Sequence, residues 1–374
     1  MNARVSAIGK GGAGVVHLPG RTLFVAGALP GETIECTVDG ELLRVIEPAS
    51  ERVDPPCPHY GQCGGCNFQH IAYAAQLRFK KEILSTNLQR IGRQRWEREI
   101  DVLPSPPWRY RCRTTFKLAA NRVGFFRKRS HEVVSISACR LVPTPVEEFI
   151  LRIALGAAES PHPAGELIVL SDGCEVAALR RGGGRCDRLG TPAKLTLRIK
   201  DFAYNYAPEN FIQSNRHLLG SLLELAEVNA RQAKGGTAVD LFCGVGFFSI
   251  PLSRRFRHVF AVDNDESNIA ACRENQRLNS AHNLQVLCAD SLKASLPRAD
   301  LYLVDPPRPG LGRRLIERLV ASRPPLLIYF SCDSATFARD AALLDERRYV
   351  LQELKLIDNF PQTDHFEIFS VFRG

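Results

Sequence analysis

The chain contains no run of about 18 or more apolar residues, which argues against a membrane-spanning helix. Its first ten residues, Met1 to Lys10, lack the charged-then-apolar layout of a secretory leader. Both absences point to a soluble, cytoplasmic protein with no membrane partner. No internal repeat and no low-complexity tract interrupts the 374 residues, so two or three ordinary globular domains are expected. Nothing demands an obligate protein partner, and a monomer is expected. Acidic residues are scarce in one place only. Between Cys57 and Arg140 there are 5 Asp and Glu against 16 Lys and Arg, whereas the whole chain carries a net charge of +9. The basic character is therefore a single block, and the rest of the chain is slightly acidic.

That block contains Arg109, Arg111, Arg113, Lys117, Arg127, Lys128 and Arg129, interleaved with Trp108, Tyr110, Phe125 and Phe126. Cations hold phosphates and aromatic rings stack on unpaired bases, so the mixture suits single-stranded or locally opened RNA. A solvated charged face is the competing reading. Twelve cysteines in a cytosolic chain argue against a disulfide framework. Cys36, Cys112, Cys174, Cys186, Cys272 and Cys288 lie outside every motif and read as buried small hydrophobes. Cys57, Cys63 and Cys66 are different: they share a glycine-rich loop, where free amides can donate to sulfide. On spacing, an iron–sulfur cluster and a tetrahedral zinc both fit, and either requires a fourth ligand.

Residues 1–52 alternate short β-type runs (Arg4 to Ile8, Gly14 to His17, Thr22 to Val25, Thr33 to Val38) with turns at Gly11-Gly12, Pro19-Gly20 and Pro30-Gly31. Their order, Gly-Xaa-Gly-Val-Val then Val-Xaa-Gly-Ala-Leu-Pro-Gly-Glu, resembles the TRAM domain, an OB-like RNA-binding barrel. A helix is expected from about Ile71 to Ile91, and residues 53–205 otherwise read as a central, mostly β domain. From 206 to 374 strands and helices alternate. Strands are expected at Thr237 to Phe242, Val259 to Val262, Leu284 to Leu287, Leu301 to Val304, Leu326 to Phe330, Leu351 to Leu356 and Phe366 to Val371. That pattern gives an α/β fold with a mostly parallel, Rossmann-like sheet of seven strands, its ligands at the carboxyl ends.

The first of those strands runs into Asp240-Leu241-Phe242-Cys243-Gly244-Val245-Gly246, where glycine lets the backbone turn against a nucleotide-type ligand. Asp263 ends the second strand, where a carboxylate can accept from two ribose hydroxyls. Asp290 closes the third, placed for an adenine amino group, and Asp305 closes the fourth. Any one of them could simply cap a helix; together they converge on one crevice. Cys332 follows the fifth strand on the same rim, a candidate nucleophile. Glu367 lies in the last strand region, a candidate base.

Taken with Phe211-Ile212-Gln213-Ser214-Asn215, Asp305-Pro306-Pro307-Arg308-Xaa-Gly310, Ser331-Cys332 and Asp358 through Glu367, these residues resemble the bacterial RNA 5-methyluridine methyltransferase family over nearly the whole chain. The likeness is strongest to its 23S ribosomal RNA branch, which carries a TRAM domain and an iron–sulfur cluster. The resemblance implies a class I methyltransferase fold, S-adenosyl-L-methionine as methyl donor and RNA as partner. It implies that Gln213 contacts the cofactor or target uracil, Phe242 and Asp263 line the cofactor site beside Gly244 and Asp290, Asp305 orients the base, Cys332 attacks and Glu367 takes a proton. It also supplies Cys139 as the distant fourth ligand to Cys57, Cys63 and Cys66, and favours a [4Fe–4S] cluster over zinc. The chemistry is consistent: carbon 5 of uracil accepts a methyl group only after a thiolate has added to carbon 6.

Five positions depart from the family pattern: Asp333-Ser334 replaces Asn-Pro, Phe247 an Asn, Asp263 a Glu and Gln362 a His. The transfer RNA T-loop uridine is the alternative target. A non-catalytic RNA-binding factor and an amino-methyltransferase are the alternative functions, the latter disfavoured because Arg308 stands where an aromatic residue would be needed.

Overall fold

The computed structural model describes residues 1–120, 122–159 and 162–374. At the start, two three-stranded antiparallel sheets share one core. The first places Thr33–Cys36 between Asn2–Arg4 and Leu42–Glu47, the second Ala13–Leu18 between Ala7–Ile8 and Arg21–Ala26. Val5, Val16, Val25, Ile34 and Cys36 meet between them. The strand Leu42–Glu47 is absent from the sequence expectation because it is an edge whose side chains are largely exposed, so no in–out alternation marks it. Buried Glu32 joins this unit to the next segment, accepting from the Leu29 amide and from both arms of Arg52 at 2.5 and 2.8 Å.

The middle of the chain forms a six-stranded antiparallel sheet in the spatial order Val133–Ser135, Arg122–Phe126, Arg113–Ala120, His162–Ser171, Val176–Gly182, Arg185–Asp187. Helix Thr144–Glu159 covers one face, packing Val146, Phe149 and Ile150 against Phe116, Leu118, Leu167 and Val169. The expected mostly β character holds, but this helix was not anticipated. Its apolar positions recur at three- and four-residue spacing, a signal masked by the β-type runs on either side.

The C-terminal sheet sets the site. Its strands are β1 (Thr237–Leu241), β2 (His258–Asp263), β3 (Leu284–Cys288), β4 (Leu301–Val304), β5 (Leu326–Ser331), β6 (Val350–Ile357) and β7 (Glu367–Arg373). The order is β3-β2-β1-β4-β5-β7-β6, with β7 antiparallel to both neighbours. All seven expected strands are present. The sheet nevertheless has eight strands, not seven, because Asp101–Leu103 pairs in parallel with the outer edge of β6. Three residues are too short a run to read as a strand without the edge they pair with.

Helix Tyr73–Arg90, close to its expected bounds, lies on the same sheet. Leu84 and Leu88 share a core with Val304, Tyr329, Phe337 and Ile368. The hairpin Leu195–Ile199 and Phe202–Tyr206 packs on the opposite face, with Tyr204 buried beside Phe247. Segments on both sides of residue 206 thus build the α/β layer.

Lys80 on that helix is fully buried and its ammonium lies 2.5 Å from Asp358, also fully buried. Burial works to lower the lysine's proton affinity and the Asp358 carboxylate works to raise it. Lys80→Met should cost about 3–5 kcal/mol in urea unfolding, because it strands a buried carboxylate. Lys81→Ala, which loses only the exposed pair with Glu99, should change stability by no more than about 1 kcal/mol.

Candidate active site

β1 ends in a turn that only a glycine-rich sequence can make. Gly244 and Gly246 have φ of +54° and +84°, and a Cβ on Gly246 would lie 2.8 Å from the Cys272 sulfur. Phe242, half-buried, also takes the left-handed conformation, at φ +64°, and its amide donates to Val262. Asp263 at the end of β2 braces the turn: one oxygen accepts the Gly244 amide and the other the Asp265 amide, both at 2.9 Å. Each oxygen retains acceptor capacity for a ligand hydroxyl. Asp290, exposed beyond β3, caps the following turn by accepting the Leu292 amide at 2.7 Å. Phe211, absent from the expected site residues, projects an exposed ring to the rim of this crevice next to Gly244. Phe247 turns the other way, into the core.

Asp305 follows β4, and its carboxyl accepts from Gln213 Nε2 at 2.8 Å. Gln213 Oε1 accepts in turn from Asn359 Nδ2 at 3.5 Å, and the same nitrogen donates to Glu367 Oε1 at 2.9 Å. A buried chain of two carboxamides therefore separates two carboxyls. Burial holds Asp305 well above the ordinary carboxylate range, with Glu367 and Asp240 adding to it. Glu367 is pushed up to about 7 by burial, against the hydrogen bond from Asn359.

Cys332 leaves β5 directly before helix Ser334–Asp345. Asp333 caps that helix, accepting the amides of Ala335 and Thr336 at 3.0 and 2.9 Å. The departure from Asn-Pro is thus a working helix start. The thiol is half-buried and pushed up to about 11 by burial, then by the carboxylates of Glu367 and Asp305, while Arg308 pulls it down. Antiparallel β7 brings the Glu367 carboxyl to the thiol: Ile368, one residue after Glu367, pairs with Ser331, one residue before Cys332.

The loop between β6 and β7 is held from outside the C-terminal sheet. Asn67 and Asp364 exchange hydrogen bonds at 2.8 and 2.9 Å, and the Gln362 carbonyl accepts the Asn67 and Phe68 amides. Gln362, at φ +68°, also exchanges bonds with Gln76, and Tyr110 donates to the Pro361 carbonyl.

Asn67 follows Cys66. Cys57, Cys63, Cys66 and Cys139 line one cavity, together with Tyr60, Gln69 and Arg111. Burial pushes Cys63 up to about 11 and Cys66 up to about 12, with charge on the neighbouring cysteines adding to both. Among the described residues no three His, Cys, Asp or Glu side chains converge on a single metal-ion position. Of the six cysteines expected to be buried, Cys36, Cys112 and Cys272 are, whereas Cys174, Cys186 and Cys288 are exposed.

Part of the expected RNA-contacting set has internal duties instead. Tyr110 is buried, Arg109 pairs with Glu147 at 2.6 Å, Lys117 pairs with Glu166, and Arg113 donates to the Asn210 and Pro208 carbonyls. Lys128, Arg129 and Arg140 are exposed.

An open α/β sheet with this strand order, an inverted β7 and a glycine turn after β1 is the class I methyltransferase arrangement, and the comparisons agree. A family model described as tRNA (Uracil-5-)-methyltransferase matches residues 191–299 and 295–372. The 23S rRNA (uracil(1939)-C(5))-methyltransferase RlmD of Shewanella amazonensis is 31% identical, over 96% of this chain and 93% of that one. An uncharacterized RNA methyltransferase of Aquifex aeolicus is 32% identical, over 96% and 94%. The Pyrococcus abyssi tRNA (uracil-54, C5)-methyltransferase, solved with S-adenosyl-L-homocysteine, superposes with a TM-score of 0.82 at 25% identity, covering 100% of this chain and 99% of that one. The chain belongs to the RNA (uracil-C5)-methyltransferase family.

Arg308 is the cation that lowers the proton affinity of the Cys332 thiol. Arg308→Ala should slow iodoacetamide alkylation of Cys332 at pH 8 by about threefold to tenfold, followed site by site by mass spectrometry. An unchanged rate would remove Arg308 from thiol activation.

Proposed function

We propose that the protein methylates carbon 5 of a uridine in RNA, with Cys332 as covalent nucleophile and Glu367 as base. The observation that carries this reading is the placement of a thiol and a buried carboxyl on adjacent strand ends, beside the Asp305–Gln213 pair. S-adenosyl-L-methionine, when bound, supplies an electrophilic methyl group. Phe242, Gly244, Asp263 and Asp290 would hold it, and the left-handed glycines that leave room for a ligand support that fit. Asp305 and Gln213 would orient the uracil. Cys332 adds to carbon 6, carbon 5 takes the methyl group, Glu367 removes the carbon 5 proton, and the thiolate departs.

The RNA would run over the exposed cations Lys128, Arg129 and Arg140, with the half-buried rings of Phe125 and Phe126 among them. The six-stranded N-terminal unit, within the expected 1–52 domain, fits a TRAM-type barrel as an auxiliary RNA contact. The 23S relatives at 31% identity favour ribosomal RNA over the transfer RNA target named for the Pyrococcus abyssi enzyme.

Cys57, Cys63, Cys66 and Cys139 fit a [4Fe–4S] cluster. What supports that reading is that all four residues line one cavity, beside Tyr60, Gln69 and Arg111. Such a cluster would brace the segment that holds the β6–β7 loop.

Cys332→Ala should abolish methyl transfer, and RNA containing 5-fluorouridine at the target should form a denaturation-resistant adduct through Cys332. Turnover by Cys332→Ala would rule out the covalent scheme and point to an amino-methyltransferase. Loss of 5-methyluridine at one 23S position in a deletion strain would identify the target; loss from transfer RNA would move it there. Cys63→Ser should lower iron and sulfide content together with RNA affinity or thermal stability.

A further inference from the structure

The two oxygens of Glu367 are not equivalent. Oε1 accepts from Asn359 Nδ2, while Oε2 is buried with no partner in the structure. An amide nitrogen only donates and an amide oxygen only accepts, so the direction of each bond in this chain is fixed. By donating to Gln213 Oε1 as well, Asn359 turns the Gln213 nitrogen toward Asp305. Asn359 has little freedom to do otherwise. It is fully buried two residues beyond β6, and its own backbone carbonyl accepts Asn215 Nδ2 at 3.2 Å.

We infer that Asn359 is a positioning residue for proton removal: it commits Oε1 of Glu367, leaves Oε2 to take the carbon 5 proton, and holds Gln213 facing Asp305. The inference rests on, and deepens, the function proposed above. In the step it serves, Oε2 bonds to the carbon 5 proton and the electron pair of that C–H bond becomes the second bond between carbons 5 and 6. The carbon 6–sulfur bond then breaks, with its pair returning to Cys332. Glu367 must be ionised to begin.

Asp305 and Cys332 face Glu367 from the ends of β4 and β5, and the Glu367 charge opposes the ionisation of both. Behind the Asn359 turn Lys80 is committed to Asp358 and to the Phe360 carbonyl, and Arg308, bonded to His365 at 3.4 Å, stands on the thiol side. Asn359 is the neutral donor that favours the carboxylate.

The test measures methyl transfer at saturating RNA and S-adenosyl-L-methionine from pH 5.5 to 9.5, with denaturing gels scoring RNA covalently held at steady state. In the wild type, turnover should rise with pH through the neutral region as Glu367 ionises. For Asn359→Leu the rising limb should move up by about one pH unit, a roughly tenfold loss near pH 6 that closes by pH 9. The fraction of RNA trapped on Cys332 should grow at low pH, because addition still proceeds while release is slow. Asn359→Asp, of the same shape, should shift the limb further, and Asn359→Gln should recover part of the loss.

A profile for Asn359→Leu and Asn359→Asp that superimposes on the wild type, or a loss equal at every pH, would overturn the inference. Cys332→Ala separates the two levels. If it still methylates, the covalent function itself fails; if it is inactive while the Asn359 profiles are unchanged, only the positioning role fails.

Discussion

The geometry of the site depends on how the β6–β7 loop is held. Residues 358–366 deliver Glu367 to the thiol, yet their partners come from the segment that runs from the cysteine loop to the basic strands: Asn67, Gln76, Lys80 and Tyr110. A connection restrained only by its own sheet would be free to move on its own, as surface loops are. Here a fully buried ion pair and a set of reciprocal amide bonds fix both its entry and its middle. That is why a left-handed Gln362 is tolerated: its side chain and backbone are each bonded to a rigid helix or loop.

Burial is what gives the side chains their chemistry. Three acids, Asp240, Asp305 and Glu367, lie at or near strand ends under one crevice, and removal from water holds all three above their ordinary range. The same desolvation raises the thiol, so burial opposes charge at both the carboxyls and the sulfur. Arg308 at the thiol and Asn359 at the carboxylate work in the opposite direction, each on one group.

Much of this was legible in the sequence because strand ends are marked by chemistry. Asp263, Asp305 and Cys332 each follow an apolar β run, and doubly wound topology brings such positions to one edge. What periodicity cannot show is contact between distant segments. Asn359 reads as an ordinary polar turn residue until Glu367 and Gln213 are placed beside it, and Asn67 until Asp364 is. The strand Asp101–Leu103 needs the edge of β6 to exist at all. The arginines next to Trp108 read as a phosphate grip because charge along a sequence does not reveal its partners; Glu147 lies 38 residues from Arg109. The exposed Cys174, Cys186 and Cys288 show the limit of composition, which gives a residue type its usual burial and not its place.

The eighth strand has a consequence for biosynthesis. During translation, residues 101–103 leave the ribosome long before β6, the edge they pair with, and Lys80 waits equally long for Asp358. Contacts separated by some 250 residues form late and carry a large loop-closure cost. The N-terminal sheets can close on the nascent chain, but the crevice, the Glu367 carboxyl and the Cys332 thiol come together only after the last hundred residues have emerged. A truncated product would therefore retain its basic surface without a completed active site.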